Sequence, residues 1–300
     1  MQTTSKVLMV RPFRFAYNDQ TADSNFFQRE SPDPDISIKA TAEFDSLVDI
    51  LLRNDVDVTI VQDTPEPWTP DSIFPNNWFS SHLTGQLVLY PMYAPNRRAE
   101  RKSQVLRVLR REMSHTKVVD LTHWEDHQEY LEGTGSMVFD RDKNTLYCCR
   151  SPRTSEKVVQ DFCSKMNFDA VMFDGVDING NPLYHTNIMM SIGMQVAIIC
   201  LQAIKDESQR QKVVSRLQSS GKLIVDISPD QMNHFAGNML ELKSRNGNPL
   251  MVMSSSARQS LTFQQEKTIG TYTRILSSDL STIEHVGGGS ARCMIAEIFA

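Results

Sequence analysis

Cysteine is scarce in this chain. The 300 residues hold five, an odd number that includes the adjacent pair Cys148 and Cys149, so a disulfide framework is excluded and four of the five read as packing residues. Long apolar runs are also missing. The most apolar stretch, residues 188–203, is broken by Ser191, Gly193 and Gln195 and falls short of the ~18 residues that crossing a bilayer requires. Residues 1–6 lack the basic and apolar regions of a signal peptide, so a cytoplasmic location and no membrane partner are expected. Positive charge is not in excess: 31 Lys and Arg stand against 36 Asp and Glu, a formal net charge of −5, which argues against nucleic acid as a partner. The one basic concentration, Arg97, Arg98, Arg101, Lys102, Arg107, Arg110 and Arg111, is expected on the solvated face of a helix over residues 97–113. No linker of biased composition divides the chain. With 40% apolar residues available for a core, a single domain over 1–300 is expected.

What the chain does have is repetition. A buried-strand pattern at Val7 to Val10 is followed by a long polar loop dotted with Phe13, Phe15, Phe26 and Phe27, of the kind that forms a lid or rim. Helical spacing through Ile38, Ala42, Leu47, Ile50 and Leu51 leads to a strand at residues 56–61. From there the same order recurs. A helix and a strand are followed by a small or polar turn and a strand rich in Met, Phe, Ile and Leu, five times at spacings of roughly 50 to 60 residues. Alternation of helices and strands makes the class α/β, and units that cannot bury their apolar faces alone must close on one another. The expected architecture is a ring of five units with their turns pointing inward.

The turns carry the polar residues. They are Asp71-Ser72-Ile73-Phe74-Pro75-Asn76-Asn77, then Leu131-Glu132-Gly133-Thr134-Gly135, Tyr184-His185-Thr186-Asn187, Phe235-Ala236-Gly237-Asn238, and Gly287-Gly288-Gly289-Ser290-Ala291-Arg292-Cys293-Met294. Taken singly, His185 suits a satisfied core histidine, Glu132 a polar strand end, and Asn187 or Asn238 a turn residue. Their occurrence at the same point of successive repeats brings Asn76, Asn77, Glu132, His185, Asn187, Asn238 and Cys293 to one cleft. Glycines ahead of Cys293 let the backbone approach a ligand closely. A thiol, an imidazole and a carboxylate together suit covalent catalysis: a cysteine of pKa about 8.5 needs a cation or donor nearby to become the nucleophile.

Read together, these motifs resemble the guanidine-modifying, or pentein, superfamily of arginine deiminases, amidinotransferases and dimethylarginine hydrolases, nearly end to end. Residues 131–135 resemble its E-G-G-D, His185-Thr186-Asn187 its H-x-D, residues 287–294 its G-G-G-x-R-C-M, and residues 71–77 the deiminase segment N-x-x-F-x-R-D. The resemblance implies a five-bladed α/β propeller with pseudo-fivefold repeats. It further implies Cys293 as nucleophile, His185 as general acid and base, Glu132 as its carboxylate partner, and Asp71, Phe74, Asn76, Asn77, Asn187, Asn238 and Arg292 as substrate-binding residues, with no metal and no cofactor. The chain departs from the pattern at Asn77 and Asn187, where deiminases place the aspartates that grip a guanidinium, and at Gly135, which replaces the last Asp of E-G-G-D. Amides carry no charge, and burying a guanidinium without a carboxylate is costly, so a neutral ureido group is the better match. The small-molecule amino acid expected is citrulline, hydrolysed to ornithine, carbon dioxide and ammonia through a thiocarbamate, as in the citrulline-utilising branch of the superfamily.

Three alternatives stay open. Arginine or a derivative is one, with Glu132, Asp71 or Glu241 supplying the anion. Another is a non-catalytic pentein that binds a large partner, against which the presence of Cys, His and Glu argues. The third is a metal hydrolase using His123 and His127, four residues apart like a helical zinc pair. Arg11, Arg97 and Arg292 are candidates for the substrate carboxylate, to which a guanidinium is suited. The sequence does not decide between a monomer and a homo-oligomer.

Overall fold

The computed structural model describes residues 1–113 and 117–299. Its strands form five separate three-stranded sheets. In the first, β1 (Lys6–Arg11) lies parallel to β2 (Asp57–Gln62). The next four repeat one plan: a short first strand runs antiparallel to a middle strand, and the middle strand runs parallel to a third. They are β3 (Phe79–Ser81), β4 (Gln86–Leu89) and β5 (Lys117–Asp120); β6 (Met137–Asp140), β7 (Thr145–Cys149) and β8 (Asp169–Phe173); β9 (Met190–Ile192), β10 (Val196–Ile199) and β11 (Leu223–Asp226); and β12 (Leu240–Lys243), β13 (Pro249–Ser254) and β14 (Arg274–Ser278). The first sheet gets its antiparallel strand from the far end of the chain. There β15 (Ala296–Glu297) pairs with β1 in the register Val7↔Glu297 and Leu8↔Ala296. This is the pentein propeller, five pseudo-equivalent blades closed by the C-terminal strand.

Each parallel pair needs a crossover, and a helix supplies it. These are α1 (Ile36–Arg53), α2 (Ser103–Glu112), α3 (Glu156–Met166), α4 (Glu207–Ser219) and α5 (Phe263–Tyr272). In α1 the buried residues are Ala40, Phe44, Leu47, Val48 and Leu51, the i, i+3, i+4 stripe that lays one face on the sheets. The start of α4 is set by the Asp206 carboxylate accepting from Gln209 N–H, and that of α5 by a reciprocal Thr262–Gln265 capping box. Middle strands are covered on both faces, so they do not alternate: Val196, Ala197, Ile198 and Ile199 are all fully buried.

The basic run departs from the expectation of one solvated helix. It splits into a short helix at Pro95–Arg98 and α2, because the chain dives inward between them. Arg97 is buried, Lys102 Nζ reaches Asp63 Oδ1 at 2.6 Å, and Arg101 grips Glu125 through two bonds of 2.8 and 2.9 Å. Arg107, Arg110 and Arg111 do stay on the exposed face. The long loop over residues 12–35 folds back over the molecule: Asn18, Thr21, Ser24, Asn25 and Gln28 are buried within it.

Candidate active site

The turns that precede the first strand of each blade converge. Each is a single helical turn or bend: Pro75–Asn77 before β3, Gly133–Ser136 before β6, Thr186–Ile188 before β9, residues 234–239 before β12, and Ala291–Met294 before β15. Proline at the first position of the Pro75 turn fixes its φ where no N–H donor is needed. The tip of the Phe74 ring then packs against the glycine loop. Methyl groups added at Gly287 and Gly289 would come within 2.9 and 3.0 Å of that ring, so a side chain at either position would push the ring away.

Cys293 is 3% exposed and receives two amide donors, Asn238 Nδ2 at 3.3 Å and Asn187 Nδ2 at 3.5 Å from Sγ. Asn238 is itself pinned. Its Nδ2 also reaches Asn187 O at 2.9 Å, and its Oδ1 accepts from the Arg292 N–H at 3.1 Å. His185 Nε2 lies 2.8 Å from Glu132 Oε2. His185 and Cys293 share no hydrogen bond, and Nδ1 of the imidazole has no hydrogen-bond partner among the described residues. Four further cysteines are free thiols; burial pushes Cys149 up to about 12 and Cys148 well above its ordinary value, as suits packing residues.

Glu132 is fully buried, and burial opposes its charge. Arg153, whose Nη1 is 3.6 Å from Oε2, together with the His185 bond and Arg97 outweighs that penalty and holds the carboxyl at about 2. His185 goes down to about 4, since burial and the two arginines exceed the pull of Glu132. An ionised Glu132 therefore accepts from Nε2–H of a neutral imidazole, and Nδ1 keeps its lone pair.

The remaining expected residues divide in two. Asp71, Phe74, Asn76 and Asn77 come to the site. Asp71 Oδ2 accepts from Asn18 Nδ2 at 2.7 Å, Oδ1 is left without a partner, and burial raises the carboxyl above its ordinary range against the pull of Arg97. Asn77 Oδ1 accepts from Arg97 Nη1 at 2.8 Å and its Nδ2 is unpartnered, as is Asn187 Oδ1. Asn76 Nδ2 donates to Thr134 Oγ1 at 3.1 Å, tying the Pro75 turn to the Glu132 turn. Arg97 also binds Phe74 O at 3.1 Å and Glu100 at 2.8 and 3.1 Å.

Arg292, Arg11 and Glu241 lie elsewhere, contrary to the sequence expectation. The Arg292 guanidinium is taken by Ile295 O at 3.0 Å and Glu297 at 3.1 Å. With Gln2, Arg141 and Glu241 it lines a separate small cavity to which Cys293, His185 and Glu132 do not contribute. Arg11 is clamped by Asp45 through bonds of 2.8 and 2.7 Å. His123 and His127 flank the Trp124 ring at 5.5 and 5.6 Å, and among the described residues no three His, Cys, Asp or Glu side chains gather as a metal ion would require.

Arg153 and the polar residues of the loop over residues 12–35 were not among the expected site residues. Arg153 follows β7, outside the repeated turns. It is buried with its guanidinium 4.9 Å from the Tyr184 ring, and it bonds Thr21 O at 2.9 Å and Ser24 Oγ at 2.7 and 3.0 Å. Those bonds tie the loop over residues 12–35 down onto the site. Asn25 adds a bond to Gly287 O at 3.2 Å, and Asn18 reaches Asp71.

Known structures share this fold. The substrate-bound N-terminal domain of ArgZ, an arginine dihydrolase of the ornithine–ammonia cycle in cyanobacteria, aligns with a TM-score of 0.75 at 15% identity, over 98% of this chain and 99% of that one. AgrE in complex with L-arginine gives 0.74 at 15%, over 97% and 40%. The DDAH of Pseudomonas aeruginosa in complex with citrulline gives 0.69 at 14%, over 99% and 100%. This chain spans 40% of the length of the longer ArgZ structure. A comparison with curated proteins finds no match. Over residues 11–300 the sequence is matched by the model of one family, so the chain belongs to the family described as N,N dimethylarginine dimethylhydrolase, eukaryotic.

Proposed function

We propose that the protein is a cysteine-dependent hydrolase of ureido or guanidino amino acids whose substrate is citrulline. The class rests on the family and on neighbours of the same fold that act on arginine or bind citrulline. The substrate rests on one observation. Beside His185, Asn77 offers an unpartnered N–H donor, and Asn187, whose amide donates to the thiol, offers an unpartnered carbonyl acceptor, both in uncharged side chains. A ureido group brings one carbonyl and several N–H groups, and so suits both without leaving a buried cation uncompensated.

Cys293 then gives its proton to His185 Nδ1 and attacks the ureido carbon. His185 passes the proton to the departing nitrogen, ammonia leaves, and a thiocarbamate joins the sulfur to the rest of the substrate. Glu132 holds the imidazole in the tautomer this requires and stabilises the imidazolium between the two transfers. Water activated by His185 next breaks the carbon–sulfur bond, and the resulting carbamate loses carbon dioxide to leave ornithine. Donors from Asn187 and Asn238 match a sulfur that carries negative charge.

A second reading is favoured by Asp71, whose Oδ1 is buried without a partner: a carboxylate there suits the cation of arginine or an arginine derivative. Ammonia release from citrulline, arginine, methylated arginines, agmatine and succinylarginine decides between the two. Citrulline is expected to be turned over and Cys293→Ser to release none; turnover of arginine with citrulline ignored, or full activity in Cys293→Ser, overturns the proposal.

A further inference from the structure

Glu284 is a buried carboxylate that takes no part in the reaction above. It lies in the short helix Ser281–Gly287, and its side chain is only 7% exposed. Its backbone carbonyl accepts from Gly288 N–H at 3.0 Å, and its side-chain Oε1 accepts from Ser290 Oγ at 2.6 Å. Ser290 in turn offers its carbonyl to the Cys293 N–H at 2.9 Å. One residue therefore clamps the glycine loop at both ends, and its second clamp is one hydrogen bond away from the backbone of the cysteine. On the reading of Cys293 as nucleophile, we propose that Glu284 is a positioning residue that fixes the thiol turn through Ser290.

Three glycines in succession give this loop the greatest backbone freedom in the chain, so the turn needs an outside restraint. An ionised carboxyl restrains it better than a neutral group, because bonds to a charged acceptor are roughly twice as strong. Ser254 beside it also favours the ionised form of this carboxyl. Burial raises its proton affinity, the two serine bonds lower it, and Glu43 from α1 with Asp279 raise it again, to about 7. Arg29, Asp177 and His285 line the cavity of about 430 Å³ on which Glu284 opens. As pH falls through this value the carboxyl takes up a proton and becomes a neutral, weaker acceptor, and the hold on Ser290 loosens.

The test is the rate at which iodoacetamide alkylates Cys293, read by peptide mass, with melting temperatures as the control for folding. Glu284→Gln and Ser290→Ala are each expected to slow alkylation about ten-fold near pH 8. The double variant is expected to be no slower than either single one, since both break the same link. The ratio of wild-type to Glu284→Gln rates should shrink as pH drops below about 7. Wild-type rates in either folded variant, losses that multiply in the double variant, or a ratio that ignores pH overturn the proposal. If Glu284→Gln does not fold, Ser290→Ala alone decides, by ten-fold slowing or by none. No substrate enters this assay, so intact coupling without citrulline turnover would refute the proposed reaction and leave the role of Glu284 standing.

Discussion

Gly135 lies so close to His185 that a Cβ added there would sit 2.7 Å from Nδ1 and 2.8 Å from Cε1 of the ring, and 2.5 Å from Asn77 Nδ2. This contact explains the glycine at the end of the Glu132 motif. Its hydrogen lets the imidazole and the Asn77 amide occupy space that any side chain would claim. Gly135→Ala is expected to displace His185 and lower kcat/KM by about two orders of magnitude, the usual result of misplacing a catalytic group by about 1 Å. Steady-state kinetics beside a thermal melt check this, because an unfolded variant would lose its melt as well.

The two asparagines give a test of specificity. Asn77→Asp and Asn187→Asp each place a carboxylate where the uncharged amide now stands, and each should raise the arginine-to-citrulline ratio of kcat/KM, by about ten-fold. Asn187→Asp also removes a donor from the sulfur, so its absolute rates should fall while the ratio still rises.

Asn238 acts through three bonds, one to Sγ, one to Asn187 O and one from the Arg292 N–H. Asn238→Ala removes all three. On the proposed reaction a fall in kcat of about ten- to hundred-fold with KM little changed is expected, since the lost contacts reach the Cys293 sulfur rather than the substrate.

The pH dependence of stability follows from Glu132. Its folded pKa, about 2, lies below the ordinary 4.5, so the stability it contributes is fully present above 4.5 and is lost as pH falls through about 2. Glu132→Gln leaves Arg153 and Arg97 facing an uncharged amide and should cost about 3–5 kcal/mol at neutral pH. The difference in melting temperature between wild type and variant should narrow as pH drops from 4.5 toward 2; a difference that stays constant would contradict the charge assigned to Glu132.

Arg153 holds the loop over residues 12–35 through Thr21 and Ser24. Arg153→Ala should release that loop, and trypsin should then cut after Arg14 or Arg29 faster, by about ten-fold, without faster cleavage elsewhere.

Much of this arrangement was legible in the sequence, for a local reason. Each blade announces itself by its own turn chemistry and its own strand, so the fivefold repeat and the convergence of Asn77, Glu132, His185, Asn238 and Cys293 follow from spacing together with the family resemblance. Arg97 was misread because a cluster of cations looks solvated until the acceptors that bury it are known, and those acceptors, Asn77 and Glu100, come from two different segments. Arg292 was misread for the opposite reason. It adjoins Cys293 in the chain, but the one-turn helix that presents this thiol to the amides of Asn187 and Asn238 turns the neighbouring side chain toward Glu297. Arg153 could not be read at all, since its ties to Thr21 and Ser24 span more than a hundred residues.

The pairing of β15 with β1 makes the thiol turn serve also as a latch. Cys293 lies three residues before the strand that completes the first blade, so the ring cannot close without setting the sulfur between its two amides. The earlier blades can form while the first remains two-stranded, so the step that seals the circle is also the step that brings Cys293 between Asn187 and Asn238.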